Sequence, residues 1–453
     1  RMISAIGLAG GLALLILLTI RGVNILIAAP VCAALVAATS GVAWLPPMAA
    51  EGAPDFVSAY MGGFTGFFAD WFFMFLLGAI FRDIMSVSGA ADSVAHWIVK
   101  TFGVKRAAVA VVAACAALTY GGVSVFIVAF SVYPMAVSLF READLPRRFI
   151  PGALAFGSVT FTMTSAGSPE IQNLIPMQFL GTTAYAGWEV SLFVAILMAA
   201  IGFLWMARLI GRAVAKGERF IAREGDAQLR EAHTLPNPLL SMVPLAAVLL
   251  VFLLLQYPDK APGFLAPLMP DASLGKYALL GALSAGAFAG ILIGLPRLAQ
   301  MPAAFSVAAT GAVVAITNTC AVVGFGAIAK LSPAFQEALV ALQNLPGDPL
   351  IGAAIAVTVI AGLTGSASGG QTIALPLLAP HYLDIGVNPN ELHRVVAISS
   401  GALDSLPHNG YVVTTIRAIC GETHKDAYGA VWALTVLTPV IGLAAAIGLF
   451  VLL

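Results

Sequence analysis

Long apolar runs follow one another along this chain of 453 residues, and they constrain its fold more than any other feature. Hydrophobic residues make up 60% of the chain and charged residues 10%, whereas a soluble domain carries roughly 25% charged residues. Basic and acidic residues number 22 each, so no basic excess is present to bind nucleic acid. The composition excludes a soluble enzyme, a nucleic-acid-binding protein and a disordered chain. It predicts an all-α polytopic membrane protein.

The apolar runs have the length of membrane spans. A helix needs about 20 apolar residues to cross the bilayer core. The chain therefore predicts about 10 transmembrane helices, near residues 2–20, 23–41, 57–88, 149–176, 187–208, 238–256, 276–295, 302–326, 394–418 and 428–453.

Two further apolar stretches, 105–140 and 348–380, do not fit single spans. Each is too long for one helix and is interrupted near its centre, by Gly121 and Gly122 in the first and by the glycine- and serine-rich segment 364–370 in the second. Each half has about 15 residues, which is too short to cross alone. We interpret both stretches as re-entrant hairpins that enter halfway and leave on the same side.

The order of these elements divides the chain into two halves. Residues 1–208 and 238–453 each contain three spans, a hairpin, and two spans, and the polar segment 209–237 joins them. With the N-terminus outside, the halves have inverted topology and 209–237 is a cytoplasmic linker. All but five of the 22 basic residues then lie in the cytoplasm, as the positive-inside rule requires. The five are Arg1, Lys260, Lys276, Lys330 and Arg394.

Inverted repeats with interrupted helices are typical of secondary transporters, whose substrate sites lie near the bilayer midplane. An amphipathic stretch precedes each hairpin, at 90–100 and 328–343, and is expected in the interface. No GxxxxGK[ST] motif for ATP occurs, which argues against a primary pump. The four cysteines are widely separated, with no spacing typical of a metal site, so we expect no metal and no other cofactor.

The span after each hairpin is itself interrupted by small polar residues and a proline, in 162–173 and in 399–410. Proline removes a backbone donor, and irregular backbone at this depth survives only where it is buried in protein or lines a cavity. Two hairpin tips and two broken spans would bring four helix N-termini together, which can bind a carboxylate without a buried lysine or arginine. The candidate substrate-binding residues are Gly121, Gly122, Ser124, Ser165, Ser168, Gln172, Asn173, Ser366, Ser368, Gly369, Gly370 and Asn409.

A simpler interpretation of the small residues is close helix packing, which serine and glycine favour in membranes. Packing alone, however, predicts no symmetric placement of four polar breaks.

Three ionisable residues lie at these breaks, where charge is costly and usually functional. They are Asp404, His408 and Glu170, and we interpret them as candidates for proton coupling. Imidazole has an unperturbed pKa of about 6.5, which suits proton exchange. Asp404 is alternatively a helix N-cap, a common position for aspartate, and Glu170 is alternatively a cap or a rim residue.

The segments 402–410 (ALDSLPHNG) and 420–425 (CGETHK) resemble the gluconate permease (GntP) family, as do the hairpin tip 366–370 and the break 168–173. The resemblance covers nearly the whole chain. It implies membership of the ion transporter superfamily, an elevator-type fold that is often dimeric, and import of small carboxylates such as gluconate, glycerate or 3-hydroxybutyrate with protons. Gluconate carriers of the family have a His-Pro-rich first break, whereas this chain has Gly-Ser-Pro-Glu at 167–170, which favours a smaller hydroxy acid or a short-chain carboxylate.

The sequence thus predicts a proton-coupled symporter of a small organic anion in a bacterial inner membrane, with both termini periplasmic. The expected partners are the carboxylate, the lipid bilayer and a second copy of the chain in a homodimer. A sodium-coupled carboxylate carrier is one alternative, since unwound carbonyls can hold Na⁺. An anion channel is the alternative from another class, but a channel needs a continuous pore, whereas the sequence predicts closed half-helices. An intramembrane enzyme is disfavoured because no nucleophile motif accompanies Asp404 and His408.

Overall fold

The computed structural model describes residues 2–21, 23–103, 106–123, 125–223, 234–256, 275–343, 347–407 and 409–452. Within these ranges the protein is built from α-helices joined by short turns and contains no β-sheet. The all-helical class that the apolar runs predict is therefore confirmed.

In the described part of the chain, nine helices begin before the linker. They are α1 (Met2–Ile20), α2 (Ile25–Ser40), α3 (Phe56–Val87), α4 (Ala90–Phe102), α5 (Ala107–Tyr120), α6 (Val125–Glu142), α7 (Ile150–Ala155), α8 (Ile171–Leu180) and α9 (Trp188–Ala215). A π-helical turn, Phe156–Thr160, continues α7, and residues 161–170 are not helical.

Eleven helices follow the linker in the described part of the chain. They are α10 (Pro238–Ser241), α11 (Val243–Gln256), α12 (Gly275–Ile293), α13 (Met301–Ala329), α14 (Pro333–Gln343), α15 (Pro349–Thr364), α16 (Ala367–Asp384), α17 (Pro389–Ser400), α18 (Gly410–Val413), α19 (His424–Trp432) and α20 (Thr438–Leu452). A π-helical turn extends α18 over Thr414–Ile419, and another joins α19 to α20 over Ala433–Leu437.

Five continuous helical segments of the described chain are long and apolar enough to cross a membrane. They are Phe56–Val87, Trp188–Ala215, Pro238–Leu255, Met301–Ala329 and His424–Leu452. Five shorter apolar helices accompany them: Met2–Leu15, Ile25–Ser40, Ala107–Tyr120, Ala278–Ile293 and Pro349–Gly362.

Local sequence explains where the hairpin helices end. α5 has 14 residues, a length of about 21 Å, and the chain turns after it at Gly122, whose φ of +90° suits glycine. α15 ends at Gly365, with φ of +61°, and Ser366 then caps α16 by accepting a hydrogen bond from the Gly369 N–H. Each hairpin therefore reverses direction within a few residues.

The most extensive contact between two helices in the described residues joins the long helices α3 and α13. The Tyr60 hydroxyl of α3 donates to the Ala321 carbonyl at 3.0 Å, and Gly63 lies against Ala327 and Gly324. Small residues at this contact let two backbones approach closely, as is usual between helices in membranes.

Other helices of the two halves pair reciprocally with α3 and α13 and with one another. α2 packs on α13 as α12 packs on α3, while α1 pairs with α2 as α11 pairs with α12. The last helices of the two halves, α9 and α20, also pack against each other. The contact of α8 with α16 has its counterpart in the contact of α6 with the π-helical turn after α18.

Two helix boundaries differ from the sequence prediction. The amphipathic stretch expected at 328–343 is divided, because α13 continues to Ala329 and α14 begins at Pro333. The buried Ser332 between them bonds to Ser4 of α1 at 3.0 Å, which holds the corner. The second broken span begins at Pro389 rather than near 394, after an N-cap at Asn388.

Gly63→Val should destabilise the protein by about 1–3 kcal/mol, because overpacking forces neighbours apart. An added Cβ would lie 2.8 Å from the Ala327 Cβ and 3.0 Å from the Val323 carbonyl oxygen. The adjacent Gly62 has no neighbour within 4 Å of such an atom, so Gly62→Val is a matched control. Thermal unfolding in detergent measures both, and equal unfolding temperatures would contradict the packing described here.

Candidate functional site

The first broken span is held open by side-chain hydrogen bonds. The Asn173 amide, in the first turn of α8, donates to the carbonyls of Ser168 and Ala184, each at 2.9 Å. The Gly167 N–H donates to the same Ala184 carbonyl at 2.9 Å. Backbone groups that the helix leaves unbonded thus find partners inside the protein, as they must in a membrane.

The first hairpin tip lies against this break. The Tyr120 hydroxyl, at the end of α5, donates to the Ala166 carbonyl. A Cβ on Gly122 would lie 3.7 Å from the Pro169 ring. The tip and the break are therefore in direct contact.

The second hairpin tip meets the second break in a similar way. Asn409 caps α18, since its side-chain oxygen accepts from the Val412 N–H at 2.9 Å. Its amide nitrogen donates to the Gly365 carbonyl at the hairpin turn, also at 2.9 Å. Beside it, Gly362 of α15 packs against Leu403.

Two contacts join the halves at the centre. Gln371, in the second turn of α16, donates to the Gln172 carbonyl at 2.8 Å and to the Ser400 hydroxyl at 3.0 Å. A Cβ on Gly401 would lie 3.1 Å from the Thr164 methyl group. The structure therefore brings two hairpin tips and two chain breaks into one region.

The predicted serines are mostly occupied by local hydrogen bonds. The Ser165 hydroxyl donates to the Phe161 carbonyl at 2.6 Å, and the buried Ser168 hydroxyl accepts from the Glu170 N–H at 3.3 Å. Ser366 is the cap of α16, and its oxygen lies 3.4 Å from the buried Ser368 hydroxyl.

The two glycines of the second tip pack closely. A Cβ on Gly370 would lie 2.6 Å from the Ala361 Cα of α15, and one on Gly369 would lie 3.1 Å from Val322 of α13. Gly121 of the first tip packs on Leu245. Two predicted site residues, Ser124 and His408, lie outside the described residues.

Neither carboxyl group caps a helix with its side chain in the described structure. Asp404 is buried, and its described bond is the one it accepts from the Ser405 hydroxyl at 3.0 Å, while Asn409 caps the returning helix. Glu170 occupies the N-cap position of α8, but its side chain accepts no hydrogen bond from that helix. α8 thus begins with main-chain N–H groups that no side chain caps.

Arg394 and His393 of α17 are functional candidates that the sequence reasoning missed. Arg394 was expected outside, among the loop charges, yet it is fully buried. Its guanidinium donates to the carbonyls of Thr164 at 2.5 Å, Ala186 at 3.0 Å and Ala184 at 3.2 Å. A buried arginine therefore adjoins the first break, although the helix N-termini were expected to bind a carboxylate without one.

Arg394 has no acidic partner among the residues that the structure describes. Its neighbour His393 is also fully buried and lies between the Thr182 hydroxyl, at 2.6 Å, and the Asn173 side-chain oxygen, at 3.3 Å. The available signal was the His393-Arg394 pair within a predicted span, because charge inside a membrane is usually functional.

A second buried arginine, Arg147, lies at the start of the first broken span. It pairs with the buried Glu422 at 3.3 Å, and Arg223 of the linker pairs with the same carboxylate at 2.9 Å. Nearby, the Arg148 guanidinium donates to the Glu218 carboxylate at 2.7 Å, and this hydrogen bonding holds the pKa of Glu218 below its ordinary value. The beginning of the linker is thereby fixed to both broken spans.

No group of three or more His, Cys, Asp or Glu side chains is placed to hold a metal ion in the described ranges. The site consists instead of helix ends, amides, hydroxyls and one uncompensated cation. It suits the reversible binding of a small polar anion inside a helical membrane protein.

Comparison with known proteins gives the class of protein. The fold is similar to a crystal structure of the YdaH transporter of Alcanivorax borkumensis, with a TM-score of 0.60 and 16% identity over 97% of this chain and 98% of that one. The chain is 34% identical to the uncharacterized transporter YxjC of Bacillus subtilis, over 94% of each chain. It is 25% identical to an uncharacterized transporter of Haemophilus influenzae over 75% of each.

The protein is a multi-pass membrane transporter and not an enzyme. A sequence model of the GntP family permeases matches residues 3–258. The chain belongs to the GntP permease family, as the motifs at the breaks predicted.

Arg394→Leu should lower the thermal unfolding temperature markedly. The substitution removes the guanidinium donor from the Thr164 and Ala186 carbonyls, each costing about 1–3 kcal/mol, whereas the Ala184 carbonyl keeps its bonds from Asn173 and Gly167. Arg208→Leu, at an exposed position on α9, is the control and should unfold like the wild type. If both variants unfold at the wild-type temperature, the hydrogen bonds described for Arg394 contribute nothing to the fold.

Proposed function

We propose that the protein is a proton-coupled symporter of a small hydroxy-carboxylate. The observation that carries this proposal is the convergence of two hairpin tips and two chain breaks, joined by the contacts of Gln371 with Gln172 and Ser400. Converging helix ends at interrupted helices are how secondary transporters bind anions and coupling ions.

The start of α8 is the best candidate for the carboxylate. The N-cap side chains of α16 and α18 accept hydrogen bonds from their own helices, whereas that of α8 does not. The first N–H groups of α8 and its dipole are therefore available to an anion. The buried charge of Arg394, bonded to Thr164 within the same break, adds to the attraction.

Glu170 would couple the binding of a proton to the binding of the anion. Its carboxyl lies at the N-cap of α8, beside the N–H groups that the substrate would occupy. An ionised Glu170 would repel a carboxylate there, and a protonated one would not. Asp404, buried in the second break, is the other described carboxyl in the site.

The proposal includes two inverted repeats and an elevator movement of the hairpins and broken spans. The reciprocal pairings of α2 with α13 and of α12 with α3 support the repeats. The charge distribution supports an inner-membrane protein with both termini outside. The homodimer rests on the family resemblance.

Uptake of labelled carboxylates into proteoliposomes tests the function. With a pH gradient, 3-hydroxybutyrate, glycerate or gluconate should accumulate, and collapsing the gradient should abolish accumulation. Accumulation that follows a Na⁺ gradient instead would favour the sodium-coupled alternative. Passive flux that shows neither accumulation nor counterflow exchange would favour an anion channel.

A carboxylate should be essential for binding, because a helix N-terminus and a buried arginine attract an anion. The neutral amide of a transported acid should fail to compete with uptake of the labelled acid. Competition by the amide equal to that of the unlabelled acid would contradict this electrostatic account.

Glu170→Gln and Asp404→Asn each mimic a permanently protonated carboxyl. If Glu170 or Asp404 carries the coupling proton, the variant at that residue should lose accumulation driven by a pH gradient. It should keep counterflow exchange, which needs no net proton movement. Asp384→Asn, at the exposed end of α16, is the control and should behave like the wild type. Normal pH-driven accumulation in both site variants would remove these two carboxyls from the coupling mechanism.

A further inference from the structure

Gln371 is an unusual residue where the two chain breaks meet. It is fully buried, and only the nitrogen of its side-chain amide has hydrogen-bond partners. The nitrogen donates to the Gln172 carbonyl and the Ser400 hydroxyl, while the side-chain oxygen has no hydrogen-bond partner. A buried acceptor without a donor is rare in folded proteins and needs an explanation.

The orientation of this amide is fixed by its neighbours. The Gln172 carbonyl can only accept, and the Ser400 hydroxyl gives its own proton to the Ala397 carbonyl at 2.7 Å. Both partners therefore need a donor from Gln371, and a flipped amide would turn an oxygen toward two acceptors. The unbonded atom is the oxygen, Oε1.

A second unbonded acceptor belongs to the same contact. The side-chain oxygen of Gln172 is also buried and without a hydrogen-bond partner. Gln172 lies in the first turn of α8, directly after the helix start that the carboxylate would occupy. Two amide oxygens without donors thus adjoin the proposed anion site.

We propose that the oxygens of Gln371 and Gln172 share the single proton of a substrate hydroxyl group in a three-centre hydrogen bond, so that the carrier selects hydroxy acids over the corresponding deoxy acids. This inference rests on the proposed function. The helix start of α8 recognises the charge, and the two amide oxygens recognise the hydroxyl.

The surroundings favour a hydroxyl over other donors. A carboxylate has no proton to give and would repel two carbonyl-type oxygens. An ammonium would be opposed by the buried cation of Arg394, which bonds to Thr164 beside Gly401. A neutral hydroxyl satisfies the acceptors and adds no charge.

The burial of Gln371 links this recognition to closure of the site. With no exposed area, its oxygen cannot reach water when α16 packs on α8, so closure around a deoxy acid leaves the acceptor unbonded. Closure around a hydroxy acid provides the missing donor. The closed arrangement is therefore favoured by the hydroxy acid specifically.

The test compares acids that differ by one hydroxyl group. In wild-type proteoliposomes, 3-hydroxybutyrate should be taken up in preference to butyrate, and lactate in preference to propionate, by at least about tenfold in kcat/KM. Equal uptake of both members of each pair would overturn the inference while leaving carboxylate transport intact. Uptake of no carboxylate at all would instead contradict the proposed function.

Two variants locate the preference. Gln172→Met keeps the backbone carbonyl that anchors Gln371, and Gln371→Met removes the whole amide. Each single variant keeps one of the two oxygens, so its preference for the hydroxy acid should fall only part of the way. In the double variant the preference should fall to within about threefold, because no oxygen then rejects the deoxy acid. Uptake of butyrate should persist in all three variants. Gln336→Met, in the amphipathic helix α14, is the matched control and should keep the wild-type preference.

Gln172→Met also protects the test against misfolding, since it leaves the bonds of Gln371 in place. If Gln172→Met and Gln371→Met both transport and both keep the wild-type preference for the hydroxy acid, the assignment of the substrate hydroxyl to these two oxygens is overturned. Competition by 3-aminobutyrate equal to that of 3-hydroxybutyrate would also overturn it, by showing that an ammonium satisfies the same acceptors.

Discussion

Irregular backbone inside a membrane protein must find its hydrogen-bond partners within the protein, because lipid offers none. This constraint explains how the two broken spans of the transporter are built. The loop at 181–187 is held by Arg394 and Asn173, which donate to the carbonyls of Ala184 and Ala186. Each carbonyl left unbonded there would cost about 1–3 kcal/mol.

The other half of the chain solves the same problem reciprocally. The loop after the second broken span is held by residues of the first half and the linker. Arg147 pairs with Glu422, and Arg223 donates to the Gly421 carbonyl at 2.6 Å. Each half therefore supplies the cation that fixes the loop of the other half. The two arginines differ in one respect, since Arg147 has a carboxylate partner and Arg394 has none among the described residues. The excess positive charge is thus located beside the first break, where α8 begins without a side-chain cap.

Much of the helical framework follows from the sequence alone. The apolar lengths predicted the helical class, and α5 and α15 end at the glycines that were expected to interrupt them. The contacts between distant segments were not predictable in the same way. Gln371 follows two glycines in an apolar run, and only the packing of α16 against α8 shows that its amide meets the Gln172 carbonyl. Arg394 resembled a loop charge because its three partners lie more than 200 residues earlier in the chain.

The central claim is that the two chain breaks face each other in one site, and a disulfide between them tests it most directly. The test uses the pair Thr164→Cys and Gly401→Cys in a chain whose four buried cysteines are replaced. A Cβ added to Gly401 would lie 3.1 Å from the Thr164 methyl carbon, which is bonded directly to the Thr164 Cβ. Disulfides require Cβ atoms about 3.5–4.5 Å apart, so mild oxidation in membranes should link this pair rapidly and block uptake until a reductant is added. The pair Thr164→Cys and Gly410→Cys, at a glycine with no neighbour within 4 Å, should stay reduced. Failure of the first pair to link, or equal linking of both pairs, would contradict the convergence of the two breaks.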